Sequence, residues 1–397
     1  MSRRWTAGAL TAGLEKEHNG GTLQQHTEIV ADAARFEAMR GEWNRLLESS
    51  GSNGMFLTWE WLFTWWKHFS VGRKLSIVTA RDGADLIAIA PLALAPPKLR
   101  SLSPFRPFEF LGSGKVGSDY LDVIVRCGKE ELAIAALADG LAGQNRTLNF
   151  EHLNRRACSA AMLADRLRGG GWNLSSIKSN VSPYIELAGQ SWESYLAGLG
   201  AEHRYNVRRR LKNLSKRFEV RFEAARTEAE RRDCFSDLVR LHGMRWEKNG
   251  GGVFQTPGML AFHEEISRVA LQRGWLKLFV LRLDGRPAAA LYGFRYQRVF
   301  YFYQSGFDPE YGKFGVGLVT MALAIKSAIE EGAAEYDFLY GDEPYKFLWA
   351  RRTRELGLLE IYPPTVTGRL FEHTAALNRA ARKIAGQMVK EAVSGLR

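Results

Sequence analysis

Gly312, Gly315 and Gly317 stand between an aromatic, alternating run over residues 299–304 and an apolar stretch with helical spacing. Glycines at such a bend let a ligand approach the backbone, and the unpaired amides of a helix's first turn attract an anion. The chemistry they suit is the seating of a phosphate-bearing ligand. Lys313, Phe314, Gly315, Val316 and Gly317 would supply the amides and the Lys313 ammonium a point charge. Close packing of a helix on a strand calls for the same glycines. Two other phosphate folds fit this stretch less well. The preceding run is not a continuous Val/Ile strand and no acidic residue closes a second strand at ribose spacing, which argues against a dinucleotide fold. A Gly-Lys-Ser/Thr ending is also missing.

The segment resembles the acyl-CoA N-acyltransferase (GNAT) superfamily. Within it, the chain is similar to the branch that groups CelD-type exopolysaccharide acetyltransferases with the Fem aminoacyl transferases. The residues that carry the resemblance are Tyr303-Gln304-Ser305-Gly306-Phe307-Asp308, the glycine turn, Tyr336-Asp337-Phe338-Leu339, and Gly341-Asp342-Glu343-Pro344-Tyr345-Lys346 with Trp349. It extends upstream to Leu241-His242-Gly243-Met244-Arg245-Trp246 and to the basic stretch 203–217, and covers most of residues 185–365. In one respect the chain departs from the superfamily. Its pyrophosphate signature begins with Gln or Arg, where this sequence has Gly312 followed by Lys313. The resemblance implies acyl-CoA, acetyl-CoA or longer, as co-substrate.

Acylation of an amine needs a neutral nitrogen, a proton acceptor and stabilisation of an oxyanion. Glu343 or Asp337 would serve as base, Tyr345 as proton donor to the leaving thiolate, and His242 as an alternative base. Lys346, beside aromatics, suits a phosphate or a stacked base, or snorkels over Trp349. Asp337 is equally an ordinary polar strand position, and a lone helical histidine is commonly a satisfied structural group. Arg245, Trp246 and Tyr303 would line the cleft. By the resemblance, Ser118-Asp119-Tyr120-Leu121-Asp122 offers Asp119, Tyr120 and Asp122 to the acceptor; the plain alternative is a turn in which Asp119 caps its own backbone. No cysteine or serine sits in an activated-nucleophile pattern, so transfer is direct.

The elements that must position these groups read as an α/β (α+β) chain, a tandem of two GNAT-like modules with mixed sheets flanked by helices. At 397 residues, two domains are the default. Element order repeats: helices, an Asp-Gly hairpin (Asp82-Gly83, then Asp284-Gly285), and a helix between strands. The expected division is a tail over 1–22, an acceptor-side module over 23–182, a donor-side module over 183–365, and a basic amphipathic helix over 366–397. No apolar run reaches spanning length, and three scattered cysteines point to a reducing compartment without a metal site.

The net charge of +12 asks for an acidic partner. Basic residues concentrate at 203–217, where Arg204, Arg208 and Lys212 share a stripe, and in the last thirty residues. The last helix carries Leu370, Thr374, Leu377, Ala381, Ile384 and Met388 on one side and Arg379, Arg382 and Lys390 on the other. That pattern suits an anionic membrane surface or docking on the protein itself. The sequence reads as a cytoplasmic N-acyltransferase, peripheral at the inner membrane face. It would act on a small-molecule or lipid-linked amine of a cell-envelope sugar or lipid precursor. The rivals are a Fem-like enzyme with aminoacyl-tRNA as donor, the one reading that brings in nucleic acid, and a non-catalytic scaffold of a polysaccharide or lipid assembly system.

Overall fold

The computed structural model describes residues 25–97, 105–246 and 252–394, with side chains to residue 380 in the last helix. The tail expected over 1–22 lies outside them.

The first half runs β1 (Gln25–Val30), α1 (Ala33–Ala38), α2 (Arg40–Glu48), α3 (Trp59–Phe69), β2 (Lys74–Leu75), β3 (Ile77–Asp82), β4 (Asp85–Ala90), β5 (Leu92–Leu94), β6 (Phe108–Phe110) and β7 (Ile124–Val125). It closes with α4 (Glu130–Ala142), β8 (Leu148–Asn154), α5 (Ser159–Gly169) and β9 (Asn173–Glu186). The second half begins with α6 (Trp192–Gly198), α7 (Ala201–Arg217), β10 (Val220–Ala224), α8 (Glu228–Trp246) and α9 (Pro257–Gln272). The antiparallel strands β11 (Leu276–Leu283), β12 (Arg286–Tyr296) and β13 (Val299–Phe307) follow. Then come α10 (Val316–Glu330), β14 (Glu335–Asp337), α11 (Lys346–Trp349), β15 (Arg352–Tyr362) and α12 (Val366–Ser394). The β11–β12 turn is Asp284-Gly285, with φ of 48° and 76°, the two-residue geometry that matches strand twist.

The fold is an α/β tandem, and one sheet runs through both halves. Its order is β10-β11-β12-β13-β14-β9-β15-β8-β6-β5-β2, beside a four-stranded sheet β1-β3-β4-β7. β9 spans the position where the sequence suggests a junction. Its C-terminal end pairs with β14 and its whole length with β15, which inserts between β9 and β8. The last strand of the chain thus lies mid-sheet, flanked by strands of the first half.

Apolar packing joins the halves. The Trp61 ring meets Phe262 and Phe294 edge-on at 5.1 and 5.5 Å, and its Nε1 donates to Ser118 Oγ at 2.8 Å. Ser118 in turn donates to Gly112 O, so the core fixes the loop that carries Asp119. Among the described residues no helix is long and apolar enough to cross a membrane. α12 docks through Phe371, stacked on Phe105 and edge-on to Tyr362, and through Arg379 on Glu360, leaving Leu370 and Leu377 exposed. Positions 381–390 of the expected stripe lie outside the described side chains.

Candidate active site

β13 and β14 run parallel and pair only from Val299↔Glu335 to Tyr301↔Asp337. β13 continues to Phe307 along β12, whereas the chain after Asp337 turns away at Leu339, whose φ is 58°. The strands splay and a wedge opens. A cavity of about 250 Å³ fills it, lined by Asp119, Arg245, Trp246, Tyr303, Gln304, Ser305, Tyr340, Glu343, Tyr345 and Lys346. A second cavity of about 220 Å³ continues toward α10 past His203, Phe307, Gly317 and Trp349, sharing Arg245, Ser305 and Tyr345 as a waist. A third, of about 190 Å³, is lined by residues 51–57, Asp119, Tyr120, Asp122, Cys158, Glu335, Asp337 and Arg354. Asp119 lines both the first and the third.

Asp119 is 1 % exposed. Its Oδ2 accepts the Tyr340 N–H at 2.5 Å, while Oδ1 has no hydrogen-bond partner. Burial, and then the charge of Asp337, push its carboxyl up to about 7 against the Tyr340 amide and the Lys346 ammonium. A carboxylate poised there exchanges protons near neutral pH. The other two carboxylates are saturated. Asp337 accepts from Tyr120 OH (2.8 Å), Leu339 N–H (2.7 Å) and the Arg354 guanidinium (3.0 Å). Asp122 accepts from Ser52 Oγ, Val123 N–H and the first amides of α5, Ser159 and Ala160. Burial pushes each up to about 6, so both are ionised at neutral pH. Asp122 is a helix cap and Asp337 a strut.

Lys346 is buried. Its Nζ donates to the carbonyls of Leu339 (3.2 Å), Tyr340 (2.6 Å) and Gly341 (3.4 Å) and pairs with Glu343 at 2.9 Å. It staples the turn carrying Tyr340 and stands on the Asp119 side of the waist. Glu343 is half exposed and committed to that pair. Tyr345 stands at the waist, its hydroxyl pushed up to about 12 by burial.

His242 has both ring nitrogens engaged: Nδ1 with Ser305 O (3.0 Å) and Nε2 with Val253 N–H (3.1 Å). Burial disfavours its charged form, so the neutral ring donates at Nδ1 and accepts at Nε2. That leaves no free nitrogen for base chemistry. Gly306 allows this approach, because a Cβ there would lie 2.2 Å from His242 N. One turn on, Arg245 donates to Ser305 Oγ at 2.8 Å and lies over the Trp246 and Phe307 rings. Burial disfavours its charge, and Tyr345 and Glu343 are the acidic groups that act against that. Tyr303 donates to Val116 O and packs on buried His263.

At the turn, residues 309–314 form a 3-10 helix, Gly315 adopts φ 73°, and α10 starts at Val316. The Gly315 N–H is used by Gly312 O, and Val319 N–H makes the first bond to Gly315 O. The unpaired amides are therefore those of Val316, Gly317 and Leu318, slightly downstream of the expected set. Lys313 O accepts from Arg210 of α7, whose side chain packs on Gly315.

Residues 201–347 match the family described as Acetyltransferase (GNAT) domain. The match lies within the second half of the chain. A search of curated proteins finds no match. Among solved structures, the chain is similar to FemX, at 13% identity and TM-score 0.59 over 81% of this chain and 95% of that one. It is also similar to the C-terminal domain of a putative lysylphosphatidylglycerol synthetase from Agrobacterium fabrum, at 10% identity and TM-score 0.52 over 87% and 96%. L-PGS from Bacillus licheniformis matches at 13% identity and TM-score 0.52 over 87% and 96%. These likenesses show the fold. Together with the domain match they bear out the resemblance read from the sequence, and the domain match supports an acyltransferase.

Several site groups escape sequence reading. Arg354, which holds Asp337 and lies 3.9 Å from the Tyr184 ring centroid, belongs to β15, which the sequence pattern did not suggest. His152, facing Asp119, sits in an unremarkable strand. Arg210 is one of many basic residues on α7, and nothing in the spacing singles it out.

Proposed function

We propose that the protein transfers an acyl group from acyl-CoA to an amine, with the donor in the β13–β14 wedge and Asp119 as the proton acceptor. The observation that carries this reading is Asp119 itself, a buried carboxylate with one unpartnered oxygen on the wall of the splayed strands. In this reading the donor phosphates meet the free amides of Val316, Gly317 and Leu318, and the acyl end passes the waist. The ammonium acceptor loses one proton to Asp119 and attacks the carbonyl. Developing negative charge on the carbonyl oxygen meets the Arg245 guanidinium and the Ser305 hydroxyl, and Tyr345 delivers a proton to the leaving sulfur. The sum is amide, free CoA and one released proton.

A second reading changes only the donor. α7 carries Arg204, Arg208, Arg209, Lys212 and Lys216 and packs on α10 and the 309–314 turn, a surface suited to an RNA-linked acyl ester. A stability screen against acetyl-CoA, long-chain acyl-CoA, free CoA and an aminoacylated RNA hairpin separates the two. Stabilisation by CoA species alone supports the first; by the hairpin alone, the second. For the chemistry, thiol release from the stabilising acyl-CoA across a panel of amines should vanish in Asp119→Asn, and its persistence removes Asp119 from the reaction.

A further inference from the structure

A base that takes a proton must also lose it, and Asp119 is itself 1 % exposed. Its Oδ2 faces an amide N–H, which cannot carry a proton away. Opposite Oδ1, 3.5 Å off, stands Nδ1 of His152, and both atoms are buried without a hydrogen-bond partner. Buried polar atoms are rarely left so, and once Asp119 is protonated its O–H can donate to the bare Nδ1. The His152 side chain is 22% exposed, so its ring reaches solvent where Asp119 does not. The same ring stands edge-on to Tyr340 at 5.0 Å, next to the amide that holds Oδ2.

The backbone is bent to make this meeting. In the β15–β8 ladder, Gly357 pairs with Leu153 but Leu359 with Phe150, so two residues of β8 oppose one of β15. His152 lies in that bulge with φ 59°, a left-handed value inside a strand, and its carbonyl takes the Tyr120 N–H at 2.9 Å. Six non-glycine residues have positive φ among the described residues, and Asn145, Asp284 and Gln297 belong to turns. The other three surround one side chain. Tyr120 follows Asp119, His152 faces it, and Leu339 precedes the residue that caps it. Strain concentrated on one carboxylate marks a functional constraint.

We propose that His152 is the positioning residue and proton outlet of Asp119, presented to the buried carboxylate by the bulge in β8. The inference rests on the acyl-transfer reading. One N–H proton of the ammonium acceptor passes to Asp119, and from its carboxyl to Nδ1 of the neutral ring. The imidazolium then releases its Nε2 proton to water, and exchange with solvent returns the ring to its Nε2–H tautomer, so that the carboxylate and a bare Nδ1 are both restored. The acceptor's second proton leaves with the donor's sulfur. Lys346, Asp337 and the Tyr303 phenol act on Asp119, and Glu151 acts on His152. Burial keeps the ring neutral at rest, as an acceptor must be.

NMR pH titration of the ligand-free full chain, with labelled Asp Cγ and His Cε1, tests the pairing without any substrate. The pair should titrate with shared inflections in the wild type. Asp119→Asn should remove the inflection near pH 7 from the His152 curve, because the facing group no longer titrates. His152→Leu should likewise remove the shared inflection from the Asp119 curve. His152→Gln serves if the leucine variant does not fold, with Glu151→Gln as a charge control. A His152 curve identical in wild type and Asp119→Asn overturns the proposal. In turnover of acetyl-CoA, His152→Ala should recover rate with added imidazole, and no recovery overturns the outlet role. The titrations stand whatever the donor proves to be, so loss of the acyl-transfer reading is told apart from loss of the pair.

Discussion

Asp119 and Asp337 are the two carboxylates at the throat of the wedge, and they are built in opposite ways. The segment after β14 gives Asp337 every partner it can use: a guanidinium, a phenol and an amide. The loop before β7 gives Asp119 one amide and leaves one oxygen bare. Both are fully buried, so burial does not distinguish them. Satisfaction does. A saturated carboxylate holds structure, and a half-satisfied one stores the free energy that proton transfer uses.

The sharpest break of this comparison is the paired substitution. Asp119→Asn should lower turnover by about 10²–10⁴-fold while leaving the fold intact. Its stability should depend on pH in a defined sense. The folded carboxyl titrates at about 7, above its ordinary 3.8, so its favourable contribution is present below 3.8 and lost as pH rises through 7. Asp119→Asn should therefore melt above wild type at pH 8, with the gap narrowing at pH 5. By the same group, wild-type turnover should rise with pH through about 7, and the variant should lack that step.

Arg245→Met should cost about 10²–10³-fold in kcat with little change in KM, because its charge is wanted where negative charge develops. Equal losses in binding of free CoA would instead make it a binding residue. Asp337→Asn, by contrast, should act on stability. Losing a partner of Arg354, which keeps Glu335, should cost on the order of 2–3 kcal/mol in denaturant unfolding. If Asp337→Asn unfolds normally but is inactive, the roles of the two carboxylates are reversed. Gly315→Val places a branched residue at φ 73° against Arg210 and should cost about 1–2 kcal/mol while weakening donor binding. The smallest effect belongs to α12. Truncation after residue 365 should lower co-sedimentation with anionic vesicles but spare turnover of soluble substrates, and unchanged co-sedimentation makes the helix a packing element.

Local signals in the sequence were reliable. The aromatic run, the glycine turn and the Asp-Gly pairs each specify their geometry within a few residues, and β13, α10 and the β11–β12 hairpin form where those signals place them. Asp119 was singled out through its family-like stretch, yet only as an acceptor contact. Its partner Tyr340 lies 221 residues away, and the burial that sets its titration comes from both halves. β15 carried no motif and finds its place only between β8 and β9, which no local pattern encodes. His242 fits the type of a general base, but two backbone groups consume its nitrogens. His152 has the unpartnered nitrogen, and its only signal is a left-handed backbone angle that residue type does not disclose.

The central claim is that the splayed strands receive the donor beside Asp119. Hydrogen–deuterium exchange of the full chain with and without acetyl-CoA tests it most directly. Donor in the wedge slows exchange across residues 304–306, 316–319 and 338–346, and leaves residues 51–57, on the far side of Asp119, unchanged. Protection confined to 51–57, or no protection in the wedge at saturating acetyl-CoA, would contradict it.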